Sequence, residues 1–222
     1  MEYASESLRS DVTFMKQAVG HSGGVLAHGS PTVRGYRQVV LEAVKQNPMA
    51  LEYASADLRK DKEVVWEAVK RSSLAFRYAD QAFRDDPEFM AKAVRQAGSL
   101  LEVASPAVRG RKDIVIAAIK QNPMALEFAS EGLRGDLDVV KEAIKLHLPA
   151  LMYASEAFRA DVDCMTAAVR LNGLALAYAS PSLRGDGMAA LEGISRGRPQ
   201  GRRTRHPGQN RSRTPGGPER QR

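Results

Sequence analysis

The sequence predicts an all-α fold: an α-solenoid of about seven to eight 25-residue helix-turn-helix repeats, followed by a disordered C-terminal tail. Three observations carry this. A signature, Leu-x-Tyr-Ala-Ser-x-x-Leu-Arg, stands at 51–59 and returns in steps of 25 with no insertion, so that units start at 1, 26, 51, 76, 101, 126, 151 and 176. Most copies lead into an apolar run of helical period. After residue 194 the composition changes to Arg, Gly, Pro and Gln with no apolar periodicity, which cannot bury a core. The repeat array is therefore 1–194 and the tail 195–222.

Positions within a unit are numbered here as slots 1 to 25. The unit opens on a short helix. Asn47-Pro48 and Asn122-Pro123 read as a cap followed by a first helical residue, and Met49, Ala50, Leu51, Tyr53 and Ala54 continue it. Serine at slot 5 (Ser55, Ser105, Ser130, Ser155, Ser180) then caps one further turn, and Pro31, Pro106 and Pro181 stand directly after that slot. The turn offers one apolar anchor, Leu58 or its equivalents Phe83, Val108, Leu133, Phe158 and Leu183.

A longer helix follows. In unit 3, Val64, Val65, Ala68 and Val69 fall at i, i+1, i+4 and i+5, on one face. Slot 11 is Asp in six of the eight units and suits the N-cap, and slot 13 adds a first-turn acid such as Glu63 or Asp138. Slot 20 is basic in six units and suits the C-terminal end. Glu42 with Lys45, and Glu67 with Lys70, are spaced for i,i+3 pairs. The expected core slots are 1, 4, 8, 14, 15, 18, 19 and 25. Burying them unit against unit offsets an ordering entropy that 25 residues alone cannot offset. The ends deviate: His21-Ser22-Gly23-Gly24 reads as a weak linker, Leu26-Ala27-His28-Gly29 as a degraded copy, and the eighth unit as a poorly packed cap or an unravelling end.

The 222 residues carry a net charge of +7, but the sign is set by one end. From Arg196 to Arg222 there are nine arginines and one acid, Glu219, which leaves 24 basic and 25 acidic residues for the array. The chain as a whole is not a basic nucleic-acid binder. The one cysteine, Cys164, rules out an internal disulfide framework and a multi-cysteine metal site; it fills slot 14, where Val39, Val64 and Ile114 stand elsewhere, and reads as a small buried hydrophobe. No secretory leader follows Met1, and no apolar run approaches the ~18 residues a transmembrane helix needs. The expectation is a cytoplasmic monomer, nuclear if the basic tail acts as a localisation signal.

Slot 9 is arginine in every unit, including Arg34, Arg59, Arg84, Arg109, Arg134 and Arg159. One guanidinium per unit makes a row able to meet a phosphate polymer or an acidic peptide. Against this stands a purely structural role: each Arg pairing with the Asp two residues on, or closing a helix C-terminus. The near-neutral array favours the structural role, because phosphate binding needs uncompensated charge. Aromatic residues at slot 3 (Tyr53, Tyr78, Phe128) read as half-buried packing rather than a base-stacking stripe. Trp66, at slot 16 where Leu41, Ala91 or Lys141 stand elsewhere, is the one residue particular to its unit and a candidate contact. In the tail, Arg196, Arg198, Arg202, Arg203, Arg205, Arg211 and Arg213 are candidates for weak, non-specific RNA binding.

Four scattered histidines, no phosphate-binding glycine loop and no nucleophile–base grouping argue against an enzyme. No cofactor is expected. The function expected is a repeat scaffold for protein–protein interaction with unidentified protein partners, and the alternative is RNA association through the tail.

The unit Leu-Glu-Tyr-Ala-Ser-x-x-Leu-Arg-x-Asp-Lys-Glu-Val-Val-x-x-Ala-Val-Lys, followed by Gln-Asn-x-x-Ala, resembles the short repeat known as domain of unknown function 4116, most clearly over 44–70 and 119–145. The resemblance covers about residues 1–194. It implies helical repeats and carries over no catalytic or binding residue. Departures from it are the second unit, Arg111 in place of Asp, and the thin eighth unit.

Overall fold

The computed structural model describes residues 4–186 of the chain. The expected tail, and the eighth unit beyond its first turn, lie outside the described residues. Every described residue in a regular element is helical. Each unit contributes three pieces: a six-residue 3-10 segment spanning the unit boundary, a short capped turn, and one long α-helix. The long helices, one per unit, are α1 (Val12–His21), α2 (Arg37–Gln46), α3 (Lys62–Val69), α4 (Pro87–Gln96), α5 (Lys112–Gln121), α6 (Leu137–Leu146) and α7 (Val162–Leu171).

The first piece, expected as a short helix, is a 3-10 segment. Pro48–Tyr53 and Pro123–Phe128 are typical. Six residues are too few for i→i−4 bonds to satisfy much of the backbone, whereas i→i−3 bonds close sooner. The segment ends when the Ala54 N–H donates to the Leu51 carbonyl at 3.2 Å, and Asn47 caps its start by accepting from the Met49 N–H at 3.0 Å. The Ser caps on the following turn form as expected in most units: Ser155 accepts from Phe158 N–H at 3.1 Å and Ser180 from Leu183 N–H at 3.2 Å. Ser130 makes no such bond.

Most core slots are as expected; the exceptions include Leu8, which is exposed, and Leu133 and Cys164, which are half-buried rather than buried. In unit 3, Leu51, Ala54, Leu58, Val64, Val65, Ala68, Val69 and Ala75 are all buried, and one continuous core runs the length of the described array. Burial of each Leu, Val or Ile is worth about 1.5–3 kcal/mol. Consecutive units are also joined backbone to backbone. The slot-5 N–H donates to the slot-9 carbonyl of the unit before it, seven times over, as in Ser55 to Arg34 (2.9 Å), Ser105 to Arg84 (2.9 Å) and Ser180 to Arg159 (2.9 Å).

The second unit forms the same elements as the others in spite of its degraded signature, which corrects the expectation of a weak linker. Gly23–His28 forms its 3-10 segment, Leu26 is fully buried, and Ser30 caps the turn Pro31–Arg34. Gly23 is required by a close approach: a Cβ there would lie 2.3 Å from the Ala43 carbonyl oxygen. Gly98 occupies the same slot, and its Cβ would meet the Ala118 carbonyl at 2.5 Å. The two helix pairs flanking these glycines, α1–α2 and α4–α5, pack most closely.

Between α3 and α4 the reverse holds. Unit 4 places phenylalanine at three core slots, Phe76, Phe83 and Phe89, and its α4 makes no such close backbone approach to α3 or to the segment Ser73–Tyr78. The rings fill the gap: Phe89 lies 4.5 Å from Phe83, 6.0 Å from Phe76 in a stacked arrangement, and 6.2 Å edge-to-face from Trp66. Unit 7, with Phe158 at the same slot as Phe83, shows the same stand-off between α7 and Leu148–Tyr153. No described helix is long and apolar enough to cross a membrane.

Candidate functional site

The arginine row lies where each short turn meets the next unit. Slot 9 is the last or next-to-last residue of the turn, its carbonyl is taken by the next unit's slot-5 N–H, and its side chain is thereby held against the unit boundary. Arg34, Arg59, Arg84, Arg109, Arg134 and Arg159 are all half-buried. In five of these six, and in Arg9, the Nε–H is sealed from solvent and has no hydrogen-bond partner; Arg84 is the exception. No Nη atom is sealed without a partner in this way, and among these heads only Arg134 has its Nη group engaged, by Glu131 at 3.5 Å.

The expected partner of the row is engaged elsewhere, and this corrects the structural reading of the arginines. Slot-11 Asp caps its own long helix: Asp61 accepts from the Glu63 and Val64 N–H groups at 2.9 and 3.0 Å, and Asp86 and Asp136 do the same in their units. Its remaining charge pairs with a slot-12 base of the preceding unit. Arg37 Nε donates to Asp61 at 3.0 Å, Lys62 meets Asp86 at 2.7 Å and Lys112 meets Asp136 at 2.9 Å. Arg37 also reaches Glu63.

These contacts set the carboxyl groups. The Lys62 ammonium and the backbone N–H donors hold Asp86 below the ordinary carboxylate range. Partial burial pushes Asp61 and Asp136 upward, but Arg37 and Lys112, with the capped N–H groups, outweigh it and leave both lowered. Where slot 11 is not Asp, as at Tyr36 and Arg111, the long helix lacks a side-chain cap. This slot-12 to slot-11 ladder between units was missed in the sequence because its bases are present in only some units, at Arg37, Lys62 and Lys112.

Among the described residues no slot-9 guanidinium pairs with the Asp two residues on. Arg134 alone has an ionic contact, to Glu131 at 3.5 Å. The remaining heads stand without a carboxylate or a carbonyl. Beside Arg59, a shallow recess of about 230 Å³ is lined by Ala56, Tyr78, Ala79, Asp80 and Gln81.

Trp66 is half-buried rather than exposed. It packs on Phe89, and the Lys92 ammonium sits 3.9 Å from its ring centroid. With Lys62, Glu63, Glu88 and Phe89 these two line an open groove of about 250 Å³ over the α3–α4 seam. The slot-3 aromatics Tyr53, Tyr78, Phe128, Tyr153 and Tyr178 are half-buried against the core, as expected. Cys164 is half-buried; burial first, and Asp161 second, push its thiol up to about 11, so it stays protonated at neutral pH. The described residues contain no group of three or more His, Cys, Asp or Glu placed to hold a metal ion. The tail arginines lie outside the described residues.

The sequence model of a family described as Domain of unknown function (DUF4116) matches five overlapping windows, 36–84, 61–109, 86–134, 111–159 and 136–184. Successive windows step by one 25-residue unit, and each runs from slot 11 of one unit to slot 9 two units on. Comparison with curated proteins and with solved structures finds no match.

Proposed function

We propose, from the premise that the chain belongs to the DUF4116 repeat family, that it is a non-enzymatic scaffold that holds another protein along its arginine-bearing face. The observation that supports this is the row of guanidinium groups left without carboxylates while the neighbouring aspartates are committed to caps and inter-unit pairs. A buried donor without a partner costs about 1–3 kcal/mol, and six occur at equivalent positions. A fold that needed only packing there would be served by an apolar stem. Each unit adds one more contact of the same kind, so the surface grows with the array, which suits an extended partner.

The test is affinity capture with the full chain against the same chain carrying Arg59, Arg84 and Arg109→Gln. Protein partners retained by the first and lost by the second support the reading. Partners retained equally by both place the contact face elsewhere. A second reading, RNA association through the tail, rests on the nine arginines of 196–222. Salt-titrated RNA binding by the full chain and by residues 1–194 tests it, and equal binding removes it.

A further inference from the structure

We infer that the partner of the arginine row is an extended acidic peptide segment carrying a carboxylate at about every third residue; this rests on the scaffold reading above. The first ground is the geometry of each head. In every described head from Arg9 to Arg159 except Arg84 the Nε is sealed at the unit boundary, so the guanidinium is held by packing, and except at Arg134 its Nη groups have no carboxylate partner. A fork of fixed orientation fits a planar carboxylate through two parallel N–H···O bonds, with less entropy to lose than a free side chain.

Spacing is the second ground. Packed helices stand about 8–10 Å apart, so successive arginines recur at roughly that interval. An extended peptide advances about 3.3 Å per residue, which brings every third side chain to about 10 Å. The acid then meets one unit, and the two residues between pass over the boundary to the next. At Arg59 that boundary is a recess walled by Ala56, Tyr78 and Ala79, suited to a small apolar or hydroxyl side chain.

Charge distribution decides against a phosphate polymer. The row is interrupted by carboxylates: Asp80 lies in the recess beside Arg59, and Glu131 contacts Arg134. Each strand of a nucleic-acid duplex presents a phosphate every ~3.4 Å along the helix axis, several per arginine, and brings the excess into contact with those acids. A peptide with neutral residues between its acids does not. The array as a whole, with 24 basic and 25 acidic residues, lacks the surplus of positive charge that a polymer as densely charged as a phosphate backbone calls for.

The experiment uses the full chain throughout, so that the tail's arginines are the same in every measurement. Two fluorescein-labelled 15-residue peptides of identical composition are compared by anisotropy, one with Glu at every third position and one with the same Glu residues contiguous. The expected result is binding of the spaced peptide at least fivefold tighter than the contiguous one. Arg59/Arg84/Arg109→Gln should weaken the spaced peptide at least tenfold and leave the contiguous one within twofold. The corresponding Arg→Lys variant keeps charge and stem but loses the fork. It should weaken the spaced peptide at least threefold, and it decides the matter if the Gln variant fails to fold.

Equal affinity for the two peptides, or a spaced-peptide affinity untouched by the substitutions, overturns the inference. So does a 15-nucleotide single-stranded RNA that binds more tightly than the spaced peptide and is lost with the same arginines. If captured proteins still depend on these arginines while the spaced peptide does not bind, only the peptide inference fails and the scaffold reading stands.

Discussion

Helix α4 faces two neighbours across two different seams. Toward α5 the seam is tight: Gly98 has no side chain, and the space a Cβ would need is occupied by the Ala118 carbonyl. Toward α3 the seam is wide and filled by Phe76, Phe83 and Phe89, with Trp66 set edge-on against Phe89. The polar joins differ as well. The wide seam is crossed by Lys62–Asp86, whereas at the tight seam Pro87 and Arg111 occupy the two slots that would pair. Units of one length and one pattern thus stack at different spacings, set by side-chain volume at a few slots. Backbone proximity and ring packing are alternative ways of closing the same boundary.

The sharpest way to break the comparison is Phe89→Ala. Phe89 touches three other rings, so its loss leaves a cavity in the wide seam and should lower the unfolding free energy by about 3–5 kcal/mol, read from urea titration by far-UV circular dichroism. A loss below about 1 kcal/mol would mean that α4 settles onto α3 without the ring. Next in size is Gly98→Ala, which forces α5 outward and should cost about 1–3 kcal/mol. Gly132→Ala is its control: a Cβ there meets nothing, and stability should be unchanged or higher by up to about 1 kcal/mol.

Asp86→Ala removes both the cap of α4 and the ionic link across the wide seam, at a cost of about 0.5–2 kcal/mol at pH 7. The Asp86 carboxyl is lowered in the folded state, so the stabilisation is fully present above its unfolded value near 3.8. It is lost as pH falls through the lower folded value. The difference between wild type and variant should therefore be constant from pH 7 to about 5 and shrink in acid below pH 4. A difference that grows in acid would contradict the assignment. Conversely, Arg111→Asp gives α5 the cap it lacks and should stabilise by about 0.5–1 kcal/mol, measured by the same titration.

The smallest effect is expected at Lys92→Met. It removes the ammonium from the Trp66 face, should change stability by less than about 1 kcal/mol, and should shift Trp66 emission. An unchanged emission spectrum would show that the groove over this seam does not hold Lys92 in place.

The sequence by itself determined the period, the order of elements and the core. Most of the slots expected to be buried are buried, because a 25-residue repeat with helical periodicity leaves one way to hide Leu51, Val65 and Val69 from water; the exceptions, such as Leu8 and Cys164, are single copies of a slot. The caps at Asp61 and Ser155 were legible for a similar reason: they are local, and an N-terminal turn needs an acceptor within two or three residues. Tertiary structure decided what depends on neighbouring units. It made the opening piece a 3-10 segment, turned Gly23 from linker to contact, and half-buried Trp66 against a ring from the next unit. Above all it redirected the aspartates. Asp61 stands only two positions after Arg59, yet stacking brings Arg37, 24 residues earlier, to that carboxylate instead. A helical turn sets which way each side chain points, and only the packed array sets which charge it meets, so the arginine row stands apart from the aspartates with which the sequence suggested it was paired.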